Sequence, residues 1–284
     1  IVGFMVRFHD KNTSHDHLLK QPIIYPGKSV ATITLANGEE LEVGNRGLNV
    51  REENGMFLKL DSTVITYSGK QADSGKVVYN TLTVPAGGEY RLVLSDGTKV
   101  WMNAESVVRF PVVFPTGERR VACDGEVFFD VARDSLRPFR VETAGNVVKV
   151  LGTRFDIRHY EDEPYSAVLL SGSIRLSRGN HEILLKPGEQ AQLMEERWVV
   201  GKAGASATSW IDGYFLFDNR SLEYIMRELA RWYDIEVFFV DSDKQNEYYS
   251  FEIERSSSLK QVMNILEKTR TLDVELKGRT VIIR

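Results

Sequence analysis

The hydrophobic pattern of the chain changes its period once, near residue 209. From about Val77 to Leu193 apolar and polar residues alternate, and turn signals containing Gly or Pro separate the short runs. Alternation puts successive side chains on opposite faces of a strand, and many short strands at this spacing favour an all-β sandwich, barrel or stacked β architecture. We therefore predict a mainly β chain whose larger part is a multi-stranded antiparallel β domain.

Two stretches of similar sequence predict β-hairpins with the same turn. They are Ile33–Val43 and Leu92–Met102, which align at a constant shift along the chain. Alternating apolar residues flank an Asn-Gly dipeptide at position 37 and an Asp-Gly dipeptide at position 96. Such dipeptides supply the positive φ angles of a type I′ turn. A further apolar stretch, Val147–Tyr160, predicts a buried strand pair interrupted near residue 152.

After residue 209 the period becomes 3.6, which marks a second domain. Two segments carry apolar residues at helix positions i, i+3, i+4 and i+7, and each follows a serine suited to an N-cap, Ser221 or Ser258. One constant shift superimposes both helices and the strands around them. The region predicts a C-terminal α+β domain of two tandem β-α-β units, closed by a last strand, Thr280 to Ile283, in one sheet with both helices on one face. The apolar helix positions are Leu222, Ile225, Met226 and Leu229, then Leu259, Val262, Met263 and Leu266.

The first strands of the two units differ in polarity. The shift places Tyr214 and Leu216 on the core face, and it matches Phe215 and Phe217 with glutamates of the second unit. Phe238 is also out of phase with the core positions of its strand. An extra apolar face must be covered, either by the β domain or by another protein. The three phenylalanines are therefore candidate partner-binding residues.

Composition narrows the classes of partner. The 284 residues are 42% hydrophobic, which suffices for two domains with buried cores. The net charge is −4, and the basic residues are scattered, so nucleic acid is not an expected partner. The single cysteine, Cys123, excludes an intrachain disulfide, and its place in a strand-like run predicts a buried, inert thiol.

Candidate chemistry is sparse. The sequence has no Gly-x-Ser-x-Gly elbow, phosphate-binding glycine loop, dinucleotide fingerprint or His-Glu-x-x-His helix, so we expect a non-enzymatic protein without cofactor or metal. The triplet His15-Asp16-His17 could ligate a metal, but its polar surroundings predict a connecting segment. The carboxylate runs at 161–163 and 195–196 are typical of exposed turns, and Tyr248 and Tyr249 are interpreted as edge packing. A Gly-Thr dipeptide, Gly152-Thr153, could cleave itself if the hydroxyl attacks the preceding carbonyl, but the dipeptide alone is weak evidence.

These features divide the chain into five parts. Residues 1–28 are a juxtamembrane segment or linker, whose apolar first eight residues suit either the end of an anchor or a first strand. Residues 29–78 form a leading β-hairpin region and 79–200 the main β domain. Residues 201–209, which are small and weakly hydrophobic, are the linker to the C-terminal domain at 210–284.

Several blocks in the same order resemble the FecR family. Together they cover about Asn80 to Leu193, and the region that follows the linker looks like the C-terminal domain of FecR-like proteins of Bacteroidetes, similar in layout to the secretin and TonB N-terminal domain. The blocks are Val84–Phe114, Arg119–Thr143, Val150–Tyr160, Leu169–Leu176 and Leu185–Leu193.

The resemblance implies a periplasmic region of a transmembrane anti-sigma factor, anchored in the inner membrane. Its partner would be the N-terminal signalling domain of a TonB-dependent outer-membrane transporter. An extracytoplasmic-function sigma factor would bind only through a cytoplasmic domain, and the membrane only through a helix, that these residues lack. Some family members cleave themselves at a Gly-Thr bond, which would assign Gly152 as carbonyl donor and Thr153 as nucleophile. The alternative function is a carbohydrate-binding or glycan-processing β-sandwich protein.

Overall fold

The computed structural model describes residues 23–44, 47–52, 55–68, 77–268 and 272–284. In these ranges the chain is mainly β, as predicted, with a large β part followed by a smaller α+β part. The apolar residues 1–8 and the triplet His15-Asp16-His17 lie outside the described residues. Neither α-helix of the described part is long and apolar enough to cross a membrane.

Strands β1 to β19 form the β domain. They are β1 Lys28–Ser29, β2 Ala31–Thr34, β3 Glu40–Val43, β4 Leu48–Arg51, β5 Phe57–Leu60, β6 Val64–Ser68, β7 Tyr79–Val84, β8 Gly88–Val93, β9 Lys99–Met102, β10 Ser106–Pro111, β11 Arg119–Asp130, β12 Phe139–Thr143, β13 Asn146–Val150, β14 Arg154–His159, β15 Ser166–Ser171, β16 Ile174–Arg178, β17 His181–Leu185, β18 Glu189–Met194 and β19 Arg197–Lys202.

The strands of the β domain pack in two layers that share one strand. One layer runs β3-β2-β7-β10-β11-β12-β13-β16-β17. The other runs β4-β5-β6-β8-β9-β11-β14-β15-β18-β19, with β1 beside β8. Most neighbours are antiparallel. Alternate side chains of both layers point inward and form a single hydrophobic core.

Strand β11 passes from one layer to the other at Gly125. It pairs with β10 up to Asp124 and with β14 from Gly125 onward. Gly125 has a φ of 89°, and a Cβ there would lie 2.4 Å from the Ser106 hydroxyl oxygen. The position therefore needs glycine for its backbone conformation and for the close approach of the neighbouring strand.

The predicted hairpins form, but their turns differ from the type I′ prediction. Only the glycines, Gly38 and Gly97, have positive φ, and each donates its amide to the carbonyl three residues earlier. This is a type I turn followed by a left-handed glycine. The Asn37 side chain accepts from the Glu39 amide at 2.9 Å, as Asp96 does from Thr98, and such side-chain turns hold the residue before glycine at negative φ.

The apolar stretch Val147–Tyr160 contains two buried strands interrupted at Gly152, as predicted. The strands do not pair with each other, however, because β13 belongs to one layer and β14 to the other. Gly152 and Thr153 thus lie where the chain crosses between the layers.

The C-terminal domain has the predicted order of two β-α-β units and a closing strand. Both predicted serines cap their helices: the Ser221 hydroxyl accepts from the Tyr224 amide at 3.3 Å, and Ser258 forms a capping box with Gln261. All eight predicted apolar helix positions are buried. The elements are β20 Tyr214–Ser221, α1 Leu222–Tyr233, β21 Glu236–Phe239, β22 Tyr248–Glu254, α2 Leu259–Glu267, β23 Val274–Lys277 and β24 Thr280–Ile283, with 3-10 helices at Ala205–Asp212 and Ser242–Asn246.

The strands of this domain form two small sheets, so the prediction of one sheet was wrong. The first strands of the two units, β20 and β22, pair with each other, whereas β21 and β23 flank the closing strand β24. Inward side chains of both sheets join the two helices in one core. The stretch 201–209 holds the end of β19 and the start of the first 3-10 helix.

Candidate functional site

Two of the predicted partner-binding residues, Phe215 and Phe217, are buried. Their side chains are 5% and 4% exposed and lie in the core of the C-terminal domain, with ring centroids 5.8 Å apart. Tyr214 and Leu216 point to the other face, and Tyr214 is 38% exposed. The prediction had the two faces of this strand reversed.

A β-bulge in β20 explains the reversal. Pairing with β22 is regular up to Phe217 and resumes at Arg220, so two residues of β20 lie opposite Ser250 alone. Asn219 has a φ of 48°, and its amide donates to the Ser250 hydroxyl at 2.8 Å. One extra residue shifts the phase of the strand relative to its twin, and because side chains alternate with period two, the shift exchanges the faces.

Phe238, the third predicted residue, lies at the surface. Its side chain is 59% exposed, and Val240 beyond the strand is 57% exposed. Strand β21 pairs only with β24 among the described residues, so its other edge presents unpaired backbone groups. Unpaired backbone groups at a strand edge are able to form hydrogen bonds with a further strand.

The Gly152-Thr153 bond is packed closely on both sides. Thr153 is buried, and its hydroxyl donates to the Ser173 carbonyl oxygen at 3.2 Å. A Cβ on Gly152 would lie 2.8 Å from the Arg133 backbone, and one on Gly172 would lie 2.7 Å from the Thr153 hydroxyl oxygen. The hydroxyl thus has a neutral carbonyl as its hydrogen-bond partner.

Cys123 is buried in the β core, as predicted. Burial, followed by the negative charges of Asp124 and Asp156, raises the pKa of the thiol. A thiol with a raised pKa is a weak nucleophile at neutral pH, so this residue contributes packing. No group of three or more His, Cys, Asp or Glu side chains in the described ranges could hold a metal ion.

A cluster of five charged side chains joins the two domains, and we call it the seam: Glu126, Arg158, Glu163, Glu228 and Arg231. Arg158 on β14 is at its centre, with its side chain 10% exposed. The guanidinium bonds Glu126 at 3.1 Å, Glu163 at 2.6 Å and Glu228. Because Glu228 is on α1 whereas Glu126 and Glu163 belong to the β domain, Arg158 ties the helix to the sandwich.

Arg231 closes the seam from the helix side. It bonds Glu163 at 2.6 Å and Glu228 at 3.1 Å, so each guanidinium bridges carboxylates of both domains. Its guanidinium carbon also lies 3.8 Å from the centre of the Tyr160 ring. The Tyr160 hydroxyl donates to the Ala104 carbonyl at 2.8 Å, which fixes the ring beneath the arginine.

Arg255 makes a second contact between the domains. It is 3% exposed and lies 3.8 Å from the Trp232 ring centre, and it donates to the Asn103 side-chain oxygen at 2.7 Å. Asn103 in turn donates to Glu126 at 2.5 Å, so this contact and the seam form one hydrogen-bonded network. Burial lowers the pKa of Arg255. The negative charges of the surrounding carboxylates partly offset this decrease.

The carboxylates of this network differ in pKa direction. Burial raises the pKa of Glu126 despite its pairing with Arg158. Burial also tends to raise the pKa of Glu163, but Arg158 and Arg231 together outweigh it and hold the pKa below its ordinary value. Asp156 is buried nearby, and desolvation together with repulsion from Glu126 raises its pKa well above the ordinary range. In this network the loss of solvation favours protonated carboxyl groups, whereas the nearby arginines favour ionised ones.

Two hollows lie beside the network. One, of about 200 Å³, separates Leu216 on the outer face of β20 from Gln190 and Gln192 of the β domain. The other, of about 660 Å³, is lined by Trp101, Trp232 and other residues of both domains. The outer face of β20 therefore points toward the β domain, which was one of the two predicted covers.

Sequence reasoning missed every member of the seam. Glu163 was predicted to lie in an exposed turn, but its side chain is only 6% exposed, because the turn after β14 folds onto α1. One signal was present: Asp156 and Arg158 are charged residues inside one of the most apolar stretches of the chain. A buried charge requires a partner, which here comes from the other domain.

Comparison with known proteins identifies the family. The chain matches the FecR protein family over residues 80–175 and the FecR C-terminal family over residues 214–283. The chain belongs to the FecR family of anti-sigma factors. Among proteins of known structure, this FecR protein is similar to a candidate anti-sigma factor from Parabacteroides distasonis, with 25% sequence identity and a TM-score of 0.66. The match covers 72% of this chain and 98% of that one, in crystal structures at 1.65 and 2.50 Å resolution. No curated protein matches the sequence.

Proposed function

We propose that the chain is the periplasmic, receiving part of an inner-membrane anti-sigma factor. It binds the N-terminal signalling domain of a TonB-dependent outer-membrane transporter by direct contact and transmits the signal of that contact to an extracytoplasmic-function sigma factor. Family membership supports the regulatory role, and the proposed partner is a folded protein domain. The role is one of binding and not of catalysis.

The open edge of β21 is the observation that carries the proposal. Among the described residues the C-terminal domain presents an unpaired strand edge at β21, with Phe238 and Val240 exposed, and its helix α1 is bonded to the β domain through the seam. A partner strand added at this edge would gain main-chain hydrogen bonds for affinity and side-chain contacts at Phe238 for specificity. The seam then couples the receiving domain to the rest of the chain.

Titration calorimetry against the cognate transporter domain tests this assignment. We expect Phe238→Asp to weaken binding at least about tenfold, because a central aromatic anchor is replaced by a charge. The matched control is Leu184→Asp, which changes an equally exposed apolar residue on β17, an edge strand of the β domain. Absence of binding by the unmodified chain, or equal loss in both variants, contradicts the proposed docking edge.

A binding role does not require cleavage of the Gly152-Thr153 bond, and we expect this bond to stay intact. The Thr153 hydroxyl donates to a carbonyl, a weak base, which supports an intact chain. Mass spectrometry after prolonged incubation at neutral pH should show the full-length species. A new amino terminus at Thr153 in the unmodified chain, absent from Thr153→Ala, would instead assign self-cleavage to this protein.

A further inference from the structure

The residues that lead into the β domain first contact the C-terminal domain. Ile24 is 6% exposed and belongs to the hydrophobic core of that domain, together with helix residues more than 190 positions further along the chain. Its neighbours Ile23 and Tyr25 are 65% and 71% exposed. One side chain of this extended segment is therefore inserted, and those on either side face solvent.

The backbone of the segment binds the start of α2. The Leu259 amide donates to the Ile24 carbonyl oxygen at 3.2 Å. Leu259 is the first residue of the helix, where amides have no partner within the helix itself. The segment thus satisfies a helix-terminal donor that would otherwise need water or a side chain.

Gly27 makes the third contact, against the indole of Trp232. A Cβ at this position would lie 2.6 Å from the nearest ring carbon, so only glycine lets the backbone approach the ring this closely. Trp232 is fixed from elsewhere, because its indole nitrogen donates to the Arg255 carbonyl at 2.9 Å. This hydrogen bond orients the ring face that Gly27 contacts.

The segment ends on the β domain. Lys28 and Ser29 pair in parallel with the start of β8, and the Lys28 amide donates to the Gly87 carbonyl at 3.0 Å. The Gly87 amide donates to the Arg231 carbonyl at 2.7 Å at the end of α1. Residues 23–29 consequently bridge the two domains next to a direct contact between them.

We propose that the C-terminal domain has a binding site for an extended peptide, and that the chain's own segment Ile23–Ser29 occupies it. Its ligands are extended segments with a β-branched apolar residue and a glycine three positions later. The apolar residue lies at the amino terminus of α2, and the glycine lies on the face of Trp232. The described structure therefore begins with a segment that is packed into the C-terminal domain before it reaches the sandwich. Separation of the two domains must therefore either remove Ile24 from the core of the C-terminal domain or break the pairing of β1 with β8. This inference does not depend on the transporter partner.

Amide hydrogen exchange on the whole chain tests the site. Ile24→Asp places a charge in the apolar core, and we expect exchange at the Leu259 amide and in β1 to accelerate by about tenfold or more. Ile23→Asp is the matched control, since that neighbour faces solvent, and its exchange should stay within about twofold of the unmodified chain. Equal exchange in the two variants would overturn the proposal.

A peptide added in trans distinguishes a separable site from an ordinary core residue. A synthetic peptide spanning residues 23–30 should restore protection of Leu259 in the Ile24→Asp chain, whereas the same peptide carrying the Ile24→Asp change should not. Failure of the native peptide to restore protection overturns the proposal. If α1 also loses protection in the Asp variant, the peptide test is run on Ile24→Ala, which removes the side chain without adding charge, and the same two outcomes decide.

Discussion

The C-terminal domain has one closed side and one open side. Toward the β domain it buries charged groups, with Arg158, Arg231 and Arg255 each bonded across the boundary. At β21, by contrast, no second strand pairs with the outer edge within the described ranges, and Phe238 is exposed. The closed side fixes the position of the domain at a high cost in desolvation, and the open side leaves backbone groups available for another chain. A domain built in this way is suited to receive a contact on one side and pass it on through the other.

Removal of the Arg158 side chain should have the largest effect on the contact between the two domains. Arg158→Ala removes the one seam arginine that contacts all three of Glu126, Glu163 and Glu228, and we expect a loss of about 3–5 kcal/mol in the free energy of unfolding. Denaturant unfolding of the whole chain measures it. The control is Arg175→Ala, whose exposed ion pair with Glu182 should contribute less than about 1 kcal/mol. Similar losses in both variants would show that the seam does not hold the domains.

Glu163→Gln should have a smaller and pH-dependent effect. The folded-state pKa of Glu163 is lowered, so its contribution is present above the unfolded pKa of about 4.3 and is lost as the pH falls through the folded pKa. At pH 7 we expect the variant to lose about 2 kcal/mol, since two charge-assisted hydrogen bonds weaken. Unfolding curves from pH 7 to pH 3 should converge with those of the unmodified chain. A constant difference across this range would contradict the assignment.

Asp156→Asn should change stability in the opposite sense. The folded-state pKa of Asp156 is raised, so its favourable contribution is present below the unfolded pKa of about 3.9 and is lost as the pH rises through the folded pKa. The neutral amide avoids this loss, and we expect the variant to equal or exceed the unmodified chain by about 1 kcal/mol at pH 8, with no gain at pH 4. The same pH series measures it, and destabilisation at pH 8 would show that the carboxylate is ionised and paired.

Phe238→Asp should leave the stability of the chain almost unchanged. The side chain is 59% exposed, and within the part of the chain that the structure describes no strand pairs with the free edge of β21, so we expect a change within about 0.5 kcal/mol in the free energy of unfolding. The same denaturant experiment measures it. A loss comparable to that in Glu163→Gln would show that Phe238 contributes to the fold, and would remove the distinction between the open and closed sides.

The helices and caps of the C-terminal domain were predictable because their signals are local. Leu222 and Leu259 begin apolar repeats of helical period, each directly after a serine, and the hairpin glycines Gly38 and Gly97 mark turns in alternating sequence. Phe238 was correctly predicted to lie out of phase with the core positions for the same reason, since alternation along a regular strand fixes the face of each side chain.

The faces of β20 were not predictable in this way. The repeat comparison assumes equal spacing from strand to helix in both units, and the bulge at Asn219 adds one residue to only one of them. A bulge is stabilised by its partner strand, here through the Ser250 hydroxyl, and leaves no periodic signal of its own. The error therefore fell on Phe215 and Phe217, the residues between the bulge and the start of the strand.

The amino-acid sequence by itself determined the β and α+β parts, their tandem repeat and the resemblance to the FecR family, because these depend on neighbours a few positions apart. Only the tertiary structure decided where the charges and the entering segment go. Arg158 bonds Glu228, which is 70 positions away in sequence, and Arg255 bonds Asn103, which is 152 positions away. The Ile24 carbonyl accepts a hydrogen bond from Leu259, which lies in the second helix of the C-terminal domain. No local pattern specifies such contacts, because they arise when two independently patterned domains pack together and each buried charge must find its partner in the other.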